Sequence, residues 1–298
     1  MVKPDYRHLY PFRSNFLTVN GLAYHFLDEG RGEPILMVHG NPTWSFYFRS
    51  LVLALRDHFR VIVPDHIGCG LSDKPTAERY GFRLKDRVDD LSTLMDHLKP
   101  NRPVTLILHD WGGMIGLAWA LDHLPEVGRI ILLNTSGFFP PKGKPIPIRL
   151  RLIRSAPAWM QYAVLRFNLF ARAAIYMAPY RPLAPEVKAG LLAPYDTPLN
   201  RLATLHFVRD IPLCREDPGG AIVDRVDRHL ERIGRRPTLI LWGAHDFVFD
   251  QDYYREWRRR LPEAEAHWFQ DAGHYLLEDI PDRIAARIME FLHNHPLQ

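Results

Sequence analysis

The stretch from residue 106 to residue 116, Leu-Ile-Leu-His-Asp-Trp-Gly-Gly-Met-Ile-Gly, constrains the fold of this chain more than any other segment. An apolar run breaks into a polar, glycine-rich turn, and apolar residues then return with helical spacing. The pattern predicts a strand, a sharp turn and a helix. Such a turn holds its tip residue, here Asp110, above the sheet and beside the first amides of the helix, which favour negative charge. Asp110 could instead be only a helix N-cap, but a cap requires neither His109 before it nor Trp111 and two glycines after it.

Short apolar runs alternate with helical segments on both sides of this turn. Asn20-Gly21 between two apolar runs is typical of an antiparallel hairpin. Apolar residues at 84, 88, 91, 95 and 98 fall on one face of a helix. The alternation predicts an α/β fold with a doubly wound, mostly parallel sheet. The predicted strands are 16–19, 22–27, 34–38, 61–63, 104–108, 129–133, 237–242 and 266–269, and the predicted helices are 44–55, 84–98, 253–261, 283–292 and one from the turn to about 123.

The alternation is interrupted in the middle of the chain. Residues 140–147 are rich in proline, and residues 149–236 contain helical patches, prolines and aromatics without a clear strand. We interpret this region as a helical cap inserted into the sheet-containing core, which a chain of 298 residues is long enough to carry. The predicted division is a core of 1–136 and 229–298 with a cap of 137–228.

Charge and cysteine content limit the classes of partner. The formal net charge is only +4, and lysine and arginine are distributed along the chain, which indicates a solvated surface and predicts no nucleic-acid partner. The two cysteines, Cys69 and Cys214, form neither a Cys-x-x-Cys pair nor an extracellular disulfide framework. We therefore expect two free thiols and a reducing, cytoplasmic location.

Membrane insertion and secretion are not predicted. The first residues lack the basic region and apolar run of a signal peptide. The longest hydrophobic region, 156–180, contains Arg166 and Arg172, and each would cost about 3 kcal/mol at the centre of a bilayer. This segment is not expected to span a membrane, although a role as an amphipathic surface stays open.

Polar residues that follow the predicted strands identify a candidate active site, because ligands of open α/β sheets bind at the carboxyl ends of the strands. Asp110, Asp246 and His274 have the chain order nucleophile, acid and histidine of the α/β-hydrolase triad, with the insertion between the first two. Asp250 and Asp271 compete with Asp246 as the residue that orients the histidine. His274 could also be a hydrogen-bonded loop histidine.

An aspartate nucleophile restricts the reaction. Serine hydrolases of this architecture carry Gly-x-Ser-x-Gly at the turn, so Asp110 replaces a hydroxyl with a carboxylate. A carboxylate suits an sp3 carbon with a good leaving group, a strained ring or an activated carbonyl, and with carbon electrophiles it forms an alkyl ester. His274, oriented by Asp246, would then deprotonate water for hydrolysis of the ester, with the backbone amides of Asn41 and Trp111 stabilising the oxyanion. The side-chain N–H donors of Asn41 and Trp111 suit a departing halide or another compact anion, although a turn asparagine and a core tryptophan are their structural alternatives.

Metal and nucleotide chemistry are not predicted. The chain has no His-Glu-x-x-His, and its nearest histidine pair, His293-x-His295, lies in the polar tail. Gly68-x-Gly70 lacks the remainder of either nucleotide-binding motif. We expect no cofactor, and we expect Asp65 and Asp73 to organise loops by bonding backbone amides.

The chain resembles the haloalkane dehalogenase group of α/β-hydrolases over essentially its whole length. The resemblance rests on three motifs, at 39–45 (His-Gly-Asn-Pro-Thr-Trp-Ser), at 109–113 (His-Asp-Trp-Gly-Gly) and at Gly273-His274. The resemblance implies an aspartate nucleophile at 110 and halide donors at Asn41 and Trp111. One branch of that group carries the triad acid after the preceding strand, where this chain has only Asn134-Thr135-Ser136. The resemblance therefore implies Asp246 as the acid.

A closer resemblance is to the β-lactone decarboxylases of olefin biosynthesis (OleB type), which overlap the third dehalogenase subfamily. It rests on residues 65–75 and 134–135, and on the cap motifs at 194–196, 200–201 and 210–213. Those relatives convert long-chain β-lactones to cis-alkenes and carbon dioxide and tend to work in larger assemblies. The resemblance implies a small apolar substrate and either a homo-oligomer or a multi-enzyme assembly.

Other functions remain open. Epoxide hydrolases share the aspartate but need cap tyrosines to protonate the epoxide oxygen, and an inactive hydrolase scaffold could act as a binding protein. The intact triad disfavours the second. The sequence narrowly favours haloalkane dehalogenation, since the two donors account for a halide, over β-lactone decarboxylation. Candidate cap tyrosines for the epoxide alternative are Tyr162, Tyr176, Tyr180 and Tyr195.

Overall fold

The computed structural model describes residues 5–141, 154, 155 and 157–297. Within these residues an eight-stranded sheet forms the centre of the fold. The strands are β1 (Asn15–Val19), β2 (Leu22–Gly30), β3 (Glu33–Val38), β4 (Phe59–Pro64), β5 (Val104–Asp110), β6 (Val127–Thr135), β7 (Thr238–Gly243) and β8 (Glu265–Phe269). Their spatial order is β1-β2-β4-β3-β5-β6-β7-β8, with antiparallel pairing from β1 to β2 and from β2 to β4 and parallel pairing elsewhere.

Helices cover both faces of this sheet. The α-helices are α1 (Arg49–Leu55), α2 (Leu84–Leu98), α3 (Trp111–Asp122), α4 (Ala158–Phe167), α5 (Leu169–Met177), α6 (Pro185–Leu192), α7 (Leu202–Arg209), α8 (Gly220–Arg228), α9 (Leu230–Ile233), α10 (Gln251–Arg260), α11 (Leu276–Asp279) and α12 (Pro281–Asn294). Short 3-10 helices lie at Arg7–Leu9, Ser45–Phe48, Leu124–Glu126 and Leu199–Arg201. The predicted doubly wound, mostly parallel sheet is thus confirmed.

The sheet is buried on both faces because its strands alternate apolar side chains into two separate clusters. Leu36, Leu106 and Ile240 pack into one cluster with α2 and α3, whereas Ile35 and Ile107 face the other cluster with α1 and α12. Parallel strands covered by helices on both sides have nearly continuous apolar sequences. This explains why β3 and β5 were recognisable as uninterrupted apolar runs.

Local signals account for the elements that the sequence predicted closely. Asn20 and Gly21 adopt positive φ of 50° and 76° in the turn between β1 and β2, as a two-residue hairpin requires. The helix predicted for 84–98 has those same bounds. The strand before the turn at Asp110 is longer than predicted and continues through Asp110 itself.

The region between β6 and β7 is helical, and the described part of it contains no strand. Val223 and Val226 of α8 pack in the same buried cluster as Trp119 of α3. The end of the insertion therefore contacts the core directly, and the cap boundaries at 137 and 228 stay predictions. No helix of the described chain is long and apolar enough to span a bilayer.

Two expected loop organisers have that role. Asp65 accepts hydrogen bonds from the backbone amides of Ser45 (2.7 Å) and Leu71 (2.8 Å). Asp73 accepts one from the amide of Ala23 (2.8 Å). Both cysteines are free thiols, Cys69 buried and Cys214 exposed.

Candidate active site

The turn between β5 and α3 holds Asp110 in a strained conformation. Asp110 has φ 53° and ψ −124°, a region that residues other than glycine rarely adopt. Its side chain makes no capping hydrogen bond to α3, so the N-cap alternative does not describe this residue. A Cβ on Gly40 would lie 1.9 Å from Asp110 Oδ1, and one on Gly112 would lie 1.9 Å from the carbonyl oxygen of Val38. These two glycines allow the backbone to surround the carboxylate closely.

The structure brings the three predicted triad residues together. Asp110 is the last residue of β5, Asp246 comes shortly after β7, and His274 comes after β8. All three therefore lie at the carboxyl edge of the sheet. His274 Nδ1 is 2.7 Å from Asp246 Oδ2, and His274 Nε2 is 3.4 Å from Asp110 Oδ2. All three residues are buried. The imidazole therefore lies between two carboxylates, as a base with an orienting acid on one side and a nucleophile on the other would.

Burial and charge act in opposite directions on these groups. Burial alone would lower the pKa of His274, but the neighbouring carboxylates of Asp246 and Asp110 outweigh it and raise that pKa to about 10. Burial alone would raise the pKa of Asp110, but the hydrogen bond and charge of His274 and the amide of Asn41 lower it below its ordinary value. At neutral pH the site thus holds an ionised Asp110 beside a protonated His274.

Asp246 is fixed in place by three donors besides the histidine. Its Oδ1 accepts the backbone amides of Val248 (2.6 Å) and Phe249 (3.0 Å). Its Oδ2 accepts Asn134 Nδ2 at 2.9 Å as well as His274. The competing carboxylates have other partners: Asp250 caps α10 through the amide of Asp252, and Asp271 pairs with Arg283.

Asn134 positions Asp246, a contact that the sequence did not predict. It lies near the end of β6, with φ 34°, and its Oδ1 accepts the amide of Gly243 at 2.7 Å. Because its Nδ2 donates to Asp246, it couples the end of β6 to the acid after β7. The signal was present, since Asn134 occupies the segment in which one dehalogenase branch carries its acid.

The predicted anion donors line the same cavity as Asp110. The backbone amide of Asn41 donates to Asp110 Oδ1 at 2.7 Å, consistent with an oxyanion role. The side-chain Nδ2 of Asn41 donates one hydrogen to the carbonyl oxygen of Thr204 on α7 (3.1 Å), which leaves its second N–H. Among the described residues, none accepts a hydrogen bond from Trp111 Nε1.

The cavity has a volume of about 240 Å³ and is lined mainly by apolar side chains. Core residues such as Asp110 and His274 form its floor, and the cap contributes Phe170 of α5, Val208 of α7 and Leu213. The four tyrosines considered for an epoxide hydrolase do not line it, and Tyr253 and Tyr275 do. Tyr162, Tyr176 and Tyr180 are exposed, and Tyr195 is buried against the carbonyl oxygen of Thr43.

Comparison with known proteins agrees with this architecture. A family model described as alpha/beta hydrolase fold matches residues 33–281. The chain belongs to the α/β-hydrolase family. This α/β-hydrolase is 44% identical over 285 residues to a cis-3-alkyl-4-alkyloxetan-2-one decarboxylase from Shewanella oneidensis, covering 95% of the chain and 89% of the relative. It is 33% identical over 284 residues to haloalkane dehalogenase 2 of Mycobacterium tuberculosis, covering 95% and 96%.

A solved structure extends the comparison. The haloalkane dehalogenase DatA from Agrobacterium tumefaciens C58 superposes with a TM-score of 0.82 at 25% identity, covering 95% of this chain and 96% of that one. The expected haloalkane dehalogenase-type hydrolase fold is therefore confirmed, as is the resemblance to both groups. The homologues of this α/β-hydrolase are enzymes, dehalogenases and decarboxylases.

Proposed function

We propose that this protein is a β-lactone decarboxylase in which Asp110 is the nucleophile, and that it acts on an oxetan-2-one with alkyl substituents on C3 and C4. The observation that carries the proposal is an ionised aspartate at the tip of the β5–α3 turn, facing an apolar cavity with N–H donors beside it. The residues alone narrowly favour a halide as leaving group. The higher identity to the decarboxylase, over nearly the whole chain, supports the lactone as the first choice.

The first step is a displacement at C4, the ring carbon bonded to the ring oxygen. An oxygen of Asp110 attacks C4 from the side opposite the ring oxygen, and the C4–O bond breaks with its electron pair going to that oxygen. The lactone carbonyl becomes a carboxylate on C3, and Asp110 becomes an alkyl ester. The side-chain donors of Asn41 and Trp111 are suited to bind the new carboxylate.

The second step regenerates the enzyme by fragmentation. The bond from C3 to the carboxylate breaks, its electron pair forms the C3=C4 double bond, and the C4–O bond to Asp110 breaks. Carbon dioxide and an alkene leave, and Asp110 is again a carboxylate. Inversion at C4 places the ester oxygen anti to the carboxylate on C3. Because these two groups then leave from opposite faces, alkyl groups that are cis on the lactone are cis on the alkene. The route consumes neither water nor a proton.

Haloalkane dehalogenation is the second candidate, and the pair of anion donors favours it. Asp110 would displace halide from an sp3 carbon to give the same type of ester, which now requires hydrolysis. Ester formation removes one of the two anions that raise the pKa of His274, so the imidazole can give up its proton. Neutral His274 then takes a proton from a water that attacks Cγ of Asp110, and returns it to the departing alkoxide.

The two candidates differ in their need for His274, and the test uses this difference. We expect His274→Ala to accumulate Asp110 alkylated by a bromoalkane, with release of one bromide, detected by intact-protein mass spectrometry. With a cis-β-lactone the same variant should still release alkene and carbon dioxide, because fragmentation needs no water. Asp110→Asn should abolish both reactions, and His267→Ala on β8 is the matched histidine control.

The outcomes separate the candidates clearly. Alkene formation by the wild type without bromide release supports the decarboxylase alone, and bromide release without alkene supports the dehalogenase alone. Alkene formation that persists in Asp110→Asn would remove the nucleophile from the mechanism. A wild type that converts neither substrate would refute both candidates.

A further inference from the structure

Exposed apolar side chains concentrate on two adjoining cap helices. Seven of the thirteen large hydrophobic residues that are exposed in the described chain lie between 159 and 180. One of them, Met177, also lines the cavity. The other six, which together with Arg166 and Arg172 we call the cap patch, are Trp159, Tyr162, Phe167, Leu169, Tyr176 and Tyr180.

The spacing of these residues gives each helix an outward stripe. On α4, Trp159, Tyr162 and Arg166 are exposed at i, i+3 and i+7, which is one face of a helix. On α5, Leu169, Arg172 and Tyr176 repeat the same spacing. Trp159 and Tyr176 are the most exposed of the large hydrophobics, at 68% and 70%. Two consecutive helices therefore present aromatic and basic side chains to solvent.

The charge of the patch has one sign. From residue 127 to residue 185 the sequence contains no aspartate or glutamate. Arg154 and Arg181, which lie near the patch in sequence, pair with Asp217 and Asp271. Within the described part of the chain, Arg166 and Arg172 have no carboxylate oxygen within 4.0 Å. The patch therefore carries two uncompensated positive charges among exposed aromatics.

The inner side of the same helix faces the active-site cavity. The cavity is lined by Phe170, Ala173 and Ala174 of α5. On the same helix, Leu169 and Arg172 belong to the exposed stripe. Large exposed apolar areas mark interaction sites, and here α5 lies between such an area and the cavity that contains Asp110. A surface that contacts the patch thus lies next to the cavity.

We propose that the cap patch binds the surface of an anionic lipid bilayer. Tyrosine and tryptophan prefer the headgroup region, and arginine side chains in the same face are attracted to anionic lipids. A second copy of this face is a poor alternative, because a twofold interface would bring the unpaired arginines together with no carboxylate to offset them. The proposal concerns binding alone and holds whichever leaving group Asp110 displaces.

Vesicle sedimentation of the full chain tests the proposal. We expect the protein to bind vesicles of phosphatidylglycerol and phosphatidylcholine in equal parts, and to bind phosphatidylcholine vesicles much less. Arg166→Gln with Arg172→Gln should weaken binding to the anionic vesicles about 30-fold, which corresponds to about 1 kcal/mol for each arginine. Phe167→Ser should also weaken binding, whereas Phe16→Ser, at an equally exposed phenylalanine on β1 (57% each), should not.

Three results would overturn the proposal. One is equal binding to both types of vesicle, since the arginines would then have no role. Another is unchanged binding by the arginine and Phe167 variants while their circular dichroism remains that of the wild type. A third is self-association without lipid that Phe167→Ser abolishes, which would assign the face to a protein contact.

Discussion

The imidazole of His274 contacts two carboxylates, and this makes the free energy of unfolding depend on pH between about 6.5 and 10. The pKa of His274 is about 10 in the folded protein and 6.5 in an unfolded chain. Because the folded value is the higher one, the stabilisation is fully present below pH 6.5 and is lost as the pH rises through about 10. Between pH 7 and pH 9 the free energy of unfolding should fall by about 2.5 kcal/mol through this group.

Urea unfolding at pH 7, 8 and 9 measures this loss of free energy. His274→Gln is the reference, because it lacks the imidazole and keeps every other titrating group. Burial raises the pKa of Cys69 to about 11, so the thiol affects stability mainly above the chosen range. Burial lowers the pKa of His109 to about 3, so this histidine affects stability mainly below the chosen pH range. A free energy of unfolding with the same pH dependence in wild type and variant would refute the argument that two carboxylates hold a proton on His274.

Three further substitutions test the surroundings of the nucleophile. Trp111→Phe removes the N–H that we propose as a donor to the departing anion, and it should lower kcat/KM about 30-fold in steady-state kinetics, with the thermal midpoint little changed. Gly40→Ala introduces a Cβ 1.9 Å from Asp110 Oδ1. The displaced carboxylate should slow the chemical step about 100-fold in a single-turnover assay. Asn134→Ala removes the 2.9 Å donor to Asp246 and should lower the free energy of unfolding by about 2 kcal/mol in urea; an unchanged value would show that this contact contributes nothing.

The core of the fold was predictable because its signals are local. Buried parallel strands read as apolar runs, the Asn20-Gly21 turn needs positive φ, and α2 has an apolar face with uniform spacing. The position of Asp110 at the tip of the turn between β5 and α3 was predictable for a similar reason, since the turn, its glycines and Asp110 are adjacent in sequence. Chain order then identified Asp246 and His274 as partners that the sheet brings together.

Contacts between distant segments could not be predicted in the same way. Asn134 donates to Asp246 across 112 positions of sequence, and its place at a strand end does not specify which carboxylate it contacts. His109 supports the site by contacting the backbone carbonyl of His274 at 2.9 Å, which depends on the pairing of strands that are far apart in the chain. The side chains that line the cavity from the cap depend on how short helices pack, and their apolar patterns do not specify that packing.

The origin of the catalytic groups has an evolutionary consequence. Asp110, Asp246 and His274, which we propose as the catalytic groups, are supplied by β5 and by the loops after β7 and β8, and none comes from the helices between β6 and β7. Mutations in those helices can therefore alter which molecules are admitted while the reactive groups stay under separate selection. Exchange of the inserted segment between a decarboxylase and a dehalogenase is therefore expected to change substrate preference while these three residues stay in place.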